Sequence, residues 1–341
     1  MIMKLLLLGG TAWLGRAIAG RAIEDGHQVT CLARGTAAAP AGARLVRADR
    51  VRPDAYDAVR DQHWDAVVDL ARQPGQVRRA VSALEPVAGR YLFVSSVSAY
   101  ASHRELWQDE DALLLPPLAS DVMDSMTEYG QAKVACEQGA TAVFGAGRTM
   151  IARVGLIGGP GDESGRSGYW PWRFSRPADE QGSVLIPAAP DLLAAVIDVR
   201  DLAAWLVECA EREVTGVFNA AGQPLPLADH LARAREVAGH SGPVITVPGD
   251  WLAARGVANW AGPRSLPLWL DDPDWFGLNA RDTSRARDAG LRSRPLRDTL
   301  TDVLAWELAR PEPGPHGAGL TDAEERELIS SWQGSDIHKP K

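Results

Sequence analysis

The chain opens with four consecutive leucines, Leu5 to Leu8, followed by Gly9, Gly10 and Gly15 and then by Leu14, Ile18 and Ile23 at helical spacing. That order predicts a buried strand, a tight turn and an amphipathic helix. Gly26 closes the helix and HQVTCLA begins a second strand. ARLVRADR and WDAVVDLA read as two further short buried strands, with a helix expected near residues 53–61 between them. PGQVRRAVSALEPVAG predicts a helix with proline near its start, and RYLFVSS another strand. Strands and helices in strict alternation imply right-handed crossovers and a parallel sheet covered on both faces, a doubly wound α/β architecture.

A polar, proline-containing stretch from Ser102 to Asp124 precedes the helix SMTEYGQAKVACEQGATAVFG, and TMIARVGLIGGP runs from a strand into a glycine turn. From Gly158 the alternation gives way to GDESGRSGYWPWRFSRP, whose glycines, arginines and tryptophans predict an irregular loop and the place for substrate contacts. Regular elements return with LLAAVIDVRDLAAWLVECAE, VTGVFNAAG, LADHLARAREVAG and PVITVP. PEPGPHGAG, from Pro311 to Gly319, reads as a linker to a terminal helix from about Thr321 to Trp332, whose acidic start TDAEERE suits a capped N-terminus.

The 341 residues suffice for one sizeable α/β domain with an appended lobe, or for two small domains. A net charge of −8 opposes a general nucleic-acid binder; Arg72, Arg78 and Arg79 suit a local basic patch or, as is more common, a solvated helix face. Cys31, Cys136 and Cys209 are an odd set without metal-ligand spacing, which points to a reducing cytoplasm. The leucine run ends after four residues and Arg16 interrupts any longer one, so no signal peptide and no membrane span are expected.

Bare backbone in the glycine turn would let a pyrophosphate approach the first N–H groups of the following helix, although a plain strand-to-helix bend needs glycine too. Gly9 and Gly15 fit the first demand, while Ala12 stands at the middle position of the GxxGxxG pattern. Arg34 follows the second strand near where an NAD site commonly carries an acid; its guanidinium suits the 2′-phosphate of NADP, or it is an ordinary surface arginine. Asp49, after the third strand, suits the adenine amino group or a loop cap.

SSVSAY ends a strand, and Tyr129 and Lys133 of YGQAK lie one helical turn apart further on. An ammonium there favours the ionised phenol and makes Tyr129 a usable acid or base, with Ser96 placed to hydrogen-bond the substrate oxygen. His27, His63, His103, His230, His240, His316 and His338 are scattered without a metal-ligand pair, so no metal is expected. Trp205 and Trp306 sit in amphipathic patterns and are expected in the core. Trp170 and Trp172, between Arg166 and Arg173, suit either a pocket lining or simple packing. In the Tyr129 helix, Ala135, Gly139 and Ala142 form a stripe of small residues that suits close approach of a second helix or of the chain's own core.

Taken in order, LLLLGGTAWLG, FVSSVSAYA, YGQAK, RVGLIGGPGD, VIDVRDLAAW and VFNAAG resemble the extended short-chain dehydrogenase/reductases, which include the NAD-dependent epimerases and dehydratases; the resemblance covers most of residues 3–308. It implies a Rossmann-type domain mainly over 1–157, a smaller substrate-binding lobe mainly over 158–310 with segments returning to the core, and a terminal linker and helix over 311–341. It implies that Ser96, Tyr129 and Lys133 are the catalytic triad, with Lys133 also on the nicotinamide ribose. Further cofactor contacts are then Gly9, Thr11, Ala12, Trp13, Leu14, Gly15, Arg34, Asp49, Ala71, Val154, Gly155 and Leu156. Expected substrate contacts are Ser98, Arg166, Trp170, Trp172 and Arg173. Ala12 departs from the usual glycine, and Val154 from the proline many relatives carry before Gly155. The function expected is hydride transfer at a hydroxyl or carbonyl carbon, with NADP(H) favoured over NAD(H), in a cytoplasmic homodimer. Sugar-nucleotide epimerisation or dehydration is the alternative, with Arg166, Arg173 and Arg176 gripping a pyrophosphate. A non-catalytic scaffold is disfavoured by the complete triad.

Overall fold

The computed structural model describes residues 2–334 and divides them into two units. His338 lies outside the described residues. The first unit holds the chain up to Leu156 together with Val199–Gly222 and Arg281–Ser293; the second holds Ile157–Asp198, Gln223–Ala280 and the chain from Arg294 onward.

In the first unit, β1 (Lys4–Leu8), β2 (Gln28–Ala33), β3 (Arg44–Arg47), β4 (Ala66–Asp69), β5 (Tyr91–Ser96) and β6 (Thr149–Val154) join the strand Gly216–Ala220 in one sheet. Its order is Gly216–Ala220, β6, β5, β4, β1, β2, β3, with every pairing parallel. The order reverses between β1 and β4, and in such sheets the crevice at the strand ends beside that reversal is where ligands bind. Helix α1 (Trp13–Glu24) packs against the helix Val199–Glu211, and α2 (Pro74–Leu84) against α3 (Tyr129–Phe144). Strand alternation explains the α2–α3 layer: Leu6, Leu8, Val67, Tyr91, Phe93 and Ile151 share one core with Val77, Val81, Cys136 and Phe144. Each such side chain contributes roughly 1.5–3 kcal/mol by leaving water.

The second unit pairs the strand Val184–Ala188 in parallel with Val244–Pro248, and its helix Tyr169–Ser175 packs on the helices Leu227–Val237 and Leu296–Ala309. The C-terminal helix Asp322–Gln333 starts from a capping box in which Thr321 and Glu324 bond reciprocally.

Four expectations need correction. Residues 53–61 form successive turns rather than a helix, with Ala55 N–H on the Arg52 carbonyl and Asp57 N–H on that of Asp54; Pro53 has no N–H to give, and the Tyr56 hydroxyl is tied to Arg50. Residues 169–175 are helical rather than irregular, because Tyr169, Trp170, Trp172 and Phe174 are buried and Pro171 sits in the first turn, where its missing N–H costs nothing. The stretch read as a linker, residues 311–319, ends in Ala318–Gly319 paired with Gly262–Pro263 and belongs to the second unit. Trp205 is buried as expected, whereas Trp306 is half-buried beside a cavity of about 400 Å³ lined also by Glu163, Arg310 and His316.

Candidate active site

Gly9 leaves β1 at φ +99°, a conformation side chains avoid. A Cβ on Gly15 would collide with the Gly9 carbonyl, and one on Gly10 would lie 2.5 Å from Cys31 Sγ. These three glycines are therefore required by the packing of the turn. Ala12 is not an obstacle: it is the N-cap of α1 at φ −78° and ψ 166°, extended backbone that any residue adopts. No side chain caps α1 and no acid occupies its first turn. With neither a capping side chain nor an acid to compete, the start of this twelve-residue helix suits the negative charge of a dinucleotide pyrophosphate. Thr11 and Trp13 are half-buried on the turn, and Leu14 directs its side chain into the core. Burial pushes the neighbouring Cys31 thiol up to about 11, so it stays neutral.

Arg34 is exposed immediately after β2, and the next residue, Gly35 at φ +81°, lies against the Arg47 side chain. Two guanidinium groups thus stand at the end of β2 and β3. Asp49 is half-buried and its Oδ1 accepts the Val51 N–H at 3.2 Å, the capping role open to it from sequence.

Ser96 ends β5 and is 9 % exposed; its Oγ accepts the Ser98 N–H at 3.1 Å and lies 3.2 Å from Ser98 Oγ. The turn they form carries the chain to a wall against α3, because a Cβ on Gly130 would collide with the Ser98 carbonyl. Gly130 follows Tyr129, the half-buried first residue of α3. One turn on, Lys133 is 3 % exposed, and its ammonium sits 5.8 Å from the Tyr129 ring centroid and 4.8 Å from that of Phe93. Lys133 Nζ donates to the Ala71 carbonyl at 2.8 Å and the Val94 carbonyl at 2.7 Å. An ammonium has three donors, so one is left for a ligand hydroxyl.

Another turn along the same face, Glu137 accepts from Ser95 Oγ and, through both oxygens, from the Arg153 guanidinium, with Nη2 at 2.8 Å. Arg153 also donates to the Glu110 carbonyl at 2.9 Å and lies over the Tyr100 ring. Burial works against the Arg153 charge, but the Glu137 contacts outweigh it and raise its pKa. Glu137 thereby fixes α3 on β5 and β6, one residue from Ser96. At the end of β6, Val154 is in register with both Ser96 and Ala220, and the Gly155 N–H donates to the Ala220 carbonyl at 3.0 Å. A β-branched residue suits that ladder position, which proline would deprive of its donor. A Cβ on Gly155 would press on Ala221, and Leu156 is buried beside it.

Sequence reasoning missed Arg50, Asp69, Gly130, Glu137 and Arg153. The available signals were a carboxylate closing the apolar run AVVD, an arginine inside TMIARV, and an acid spaced four residues beyond Lys133.

The substrate contacts expected in 166–173 are changed by their surroundings in the second unit. Trp170 is fully buried and its Nε1 donates to the Pro267 carbonyl at 2.8 Å. Arg173, also fully buried, spends its guanidinium on Asp322, Glu325 and the Leu320 carbonyl, each within 2.7 Å, and on the Trp172 face at 4.7 Å. Trp170 and Arg173 are therefore framework. Trp172 is 7 % exposed, and Arg166 lies over the Trp260 ring at 5.3 Å with its Nε on Ser164 Oγ.

Residues 5–221 match the NAD dependent epimerase/dehydratase family. The chain belongs to that family. It is 29 % identical over 360 residues to the 2'-dehydrokanamycin reductase of Streptomyces kanamyceticus, covering 96 % of this chain and 90 % of the relative. UDP-N-acetylglucosamine 4-epimerase from Bacillus cereus shares the fold at a TM-score of 0.65 and 18 % identity, over 92 % of this chain and 99 % of that one. UDP-glucuronic acid 4-epimerase from Bacillus cereus, solved with NAD, does so at 0.62 and 16 %, over 89 % and 98 %. Family and fold together make this an extended short-chain dehydrogenase/reductase, an enzyme that works with a nicotinamide dinucleotide. No helix among the described residues is long and apolar enough to cross a membrane.

Proposed function

We propose that the protein is an NADP(H)-preferring reductase of a ketone on a small, polar, glycoside-like molecule, with Ser96, Tyr129 and Lys133 as its catalytic set. The observation that carries the reading is the buried Lys133 ammonium, which has two carbonyl acceptors and one donor to spare beside the Tyr129 ring. When bound, the nicotinamide dinucleotide supplies the hydride. Tyr129 Oη passes the proton to the substrate oxygen, and Ser96 Oγ donates a hydrogen bond to the same oxygen. Lys133 supports the phenol by its charge and holds the ribose with its free N–H. Gly9 to Gly15 and the start of α1 receive the pyrophosphate; Asp49, Ala71 and the Val154 to Leu156 backbone flank the cofactor, and Ser98 the substrate.

Net reduction is favoured over sugar-nucleotide epimerisation for two reasons. The curated relative spanning nearly the whole chain is a reductase, and Arg173, one of three arginines available for a substrate pyrophosphate, is committed to Asp322 and Glu325. The purified protein is tested with NADPH against keto-glycosides, simple ketones and UDP-sugars. One alcohol formed per NADPH consumed is expected; interconversion of UDP-sugars with no net NADPH change overturns the reductase reading.

The NADP preference rests on Arg34, with Arg47 beside it, where an acid would favour NAD. Titration with NADPH and NADH should show Arg34→Ala reducing the preference about tenfold, the scale of one charge-assisted contact to phosphate. Equal affinities in the unaltered protein would remove the preference. A homodimer through α3 is the expected assembly. Ala135 is buried and Gly139 faces Arg78 of α2, so a second copy would meet the exposed Ala142 and Val143 end. A monomer mass by light scattering would refute it.

A further inference from the structure

Outside the catalytic set, the first unit buries an ion pair at the ends of β3 and β4. Asp69, the last residue of β4, has no exposed surface, and Arg50 follows β3 by three positions. They meet fork to fork, Nη1 to Oδ1 and Nη2 to Oδ2, each at 2.6 Å. Arg50 Nε donates to the Tyr56 hydroxyl at 2.9 Å, and the Tyr91 hydroxyl donates to Asp69 Oδ2. Every strong group of the pair is thus satisfied, which is the condition for tolerating it in the interior.

Apolar residues of similar volume would fill this space at a lower desolvation cost, so packing does not explain the pair. Its contacts with the backbone do. Asp69 Oδ1, besides receiving Arg50, accepts the Ala71 N–H at 2.8 Å, and the Ala71 carbonyl is one of the two acceptors of Lys133 Nζ. Arg50 in turn directly follows Asp49, and its own carbonyl accepts from Arg79 Nε at 3.0 Å. A continuous chain of contacts therefore runs from the turn after β3, through the pair, into the Ala71 peptide and on to the ammonium. A carboxylate at 69 takes both prongs of the guanidinium and that N–H together, whereas an amide would turn a donor towards one prong.

We propose that Arg50 and Asp69 are positioning residues that set the Ala71 peptide, and through it Lys133, so that the two ends of the cofactor site are held in one geometry. The inference rests on the preceding assignment of Lys133 and Ala71 to the cofactor.

A double-mutant cycle on the full chain tests it, with NADPH affinity read by calorimetry. Arg50→Met/Asp69→Leu removes the pair without stranding a charge. It should weaken NADPH binding about tenfold when Lys133 is present and less than about twofold further in a Lys133→Met background, the non-additivity expected of residues in one contact chain. Equal factors in the two backgrounds, or no loss in either, overturn the proposal, because a purely structural pair acts alike whether or not Lys133 is there. Circular dichroism establishes that the variants fold. If the double replacement does not, Arg50→Lys, which keeps the charge and loses the fork, goes through the same cycle and should lose about threefold only with Lys133 present. An unaltered protein that binds neither NADPH nor NADH would remove the cofactor assignment itself, whereas normal binding without coupling removes only the role of the pair.

Discussion

Each unit of the molecule buries a cation, and the two meet opposite surroundings. Lys133 in the first unit is 3 % exposed and is answered by two backbone carbonyls, with no carboxylate ion pair among the described residues. Arg173 in the second unit is fully buried and is answered by Asp322, Glu325 and the carbonyls of Leu320 and Arg176. Taking a cation out of water is costly, and the cost is met where carboxylates and hydrogen bonds complete it. Arg173 is complete within the chain, so its work is to hold the helix Asp322–Gln333. Lys133 keeps one donor beyond its two carbonyl acceptors, the donor that the proposed function gives to the cofactor ribose. The unfilled valence, rather than burial or charge alone, separates a site from a framework.

The comparison is tested most strongly at the active site. Tyr129→Phe should lower turnover by about 10²- to 10⁴-fold, the usual loss when a positioned general acid is removed, and leave NADPH affinity nearly unchanged. Lys133→Ala should weaken both turnover and cofactor binding, since in the proposed mechanism its ammonium serves both phenol and ribose. Full activity in Tyr129→Phe would show that the proton passes through another group.

At the other cation the expected loss is in stability. Arg173→Met leaves Glu325 buried without its partner, and breaking one side of such a pair typically costs about 3–5 kcal/mol. Thermal unfolding should record that loss, while NADPH affinity in the folded variant stays near that of the parent. A variant as stable as the parent would mean that Glu325 neutralises itself. That outcome has a physical route, because burial raises the Glu325 pKa to about 7.

The contrast between the cations was only half visible in the chain. Leu5 to Leu8, the glycine turn and YGQAK announce themselves, since a strand buried on both faces, a positive φ and an i, i+4 pair are local demands. The partners of Arg173 could not be read in this way: Asp322 and Glu325 lie 149 and 152 positions away, in a helix whose acids look like a solvated N-terminal turn. Nothing in YWPWRFS distinguishes an arginine aimed at a substrate from one aimed at a later helix. For the same reason ARLVRADR and WDAVVDLA read only as two short strands, although the fold makes Arg50 and Asp69 opposite sides of one contact. Ala12 shows the converse, a departure from a motif that the backbone angles make harmless.

The smallest expected effect concerns pH and again sets the units side by side. His230, on the helix Leu227–Val237 of the second unit, is fully buried with no hydrogen-bond partner on either ring nitrogen, and burial, helped by Arg233, lowers its pKa from the ordinary 6.5 to about 4. In the first unit His103 is lowered to about 4 by burial and by Arg281, whose Nη2 lies 2.6 Å from its Nδ1. A base depressed by folding is neutral in the native protein and takes up its proton more readily when unfolded. Its contribution is therefore fully present above about pH 6.5 and is lost as the pH falls towards 4. For His230 a shift of this size amounts to about 3 kcal/mol at most. His230→Phe should flatten the fall in stability across that window, as followed by denaturant unfolding at successive pH values, and should leave the curve above pH 7 parallel to that of the parent. Because His103 is tied to Arg281 rather than merely enclosed, His103→Phe should flatten the same window but also lower stability at neutral pH, where it strands a guanidinium contact. Identical curves for the two variants would mean that enclosure alone governs both histidines, and that the partner of a buried polar group matters less than the contrast between Lys133 and Arg173 requires.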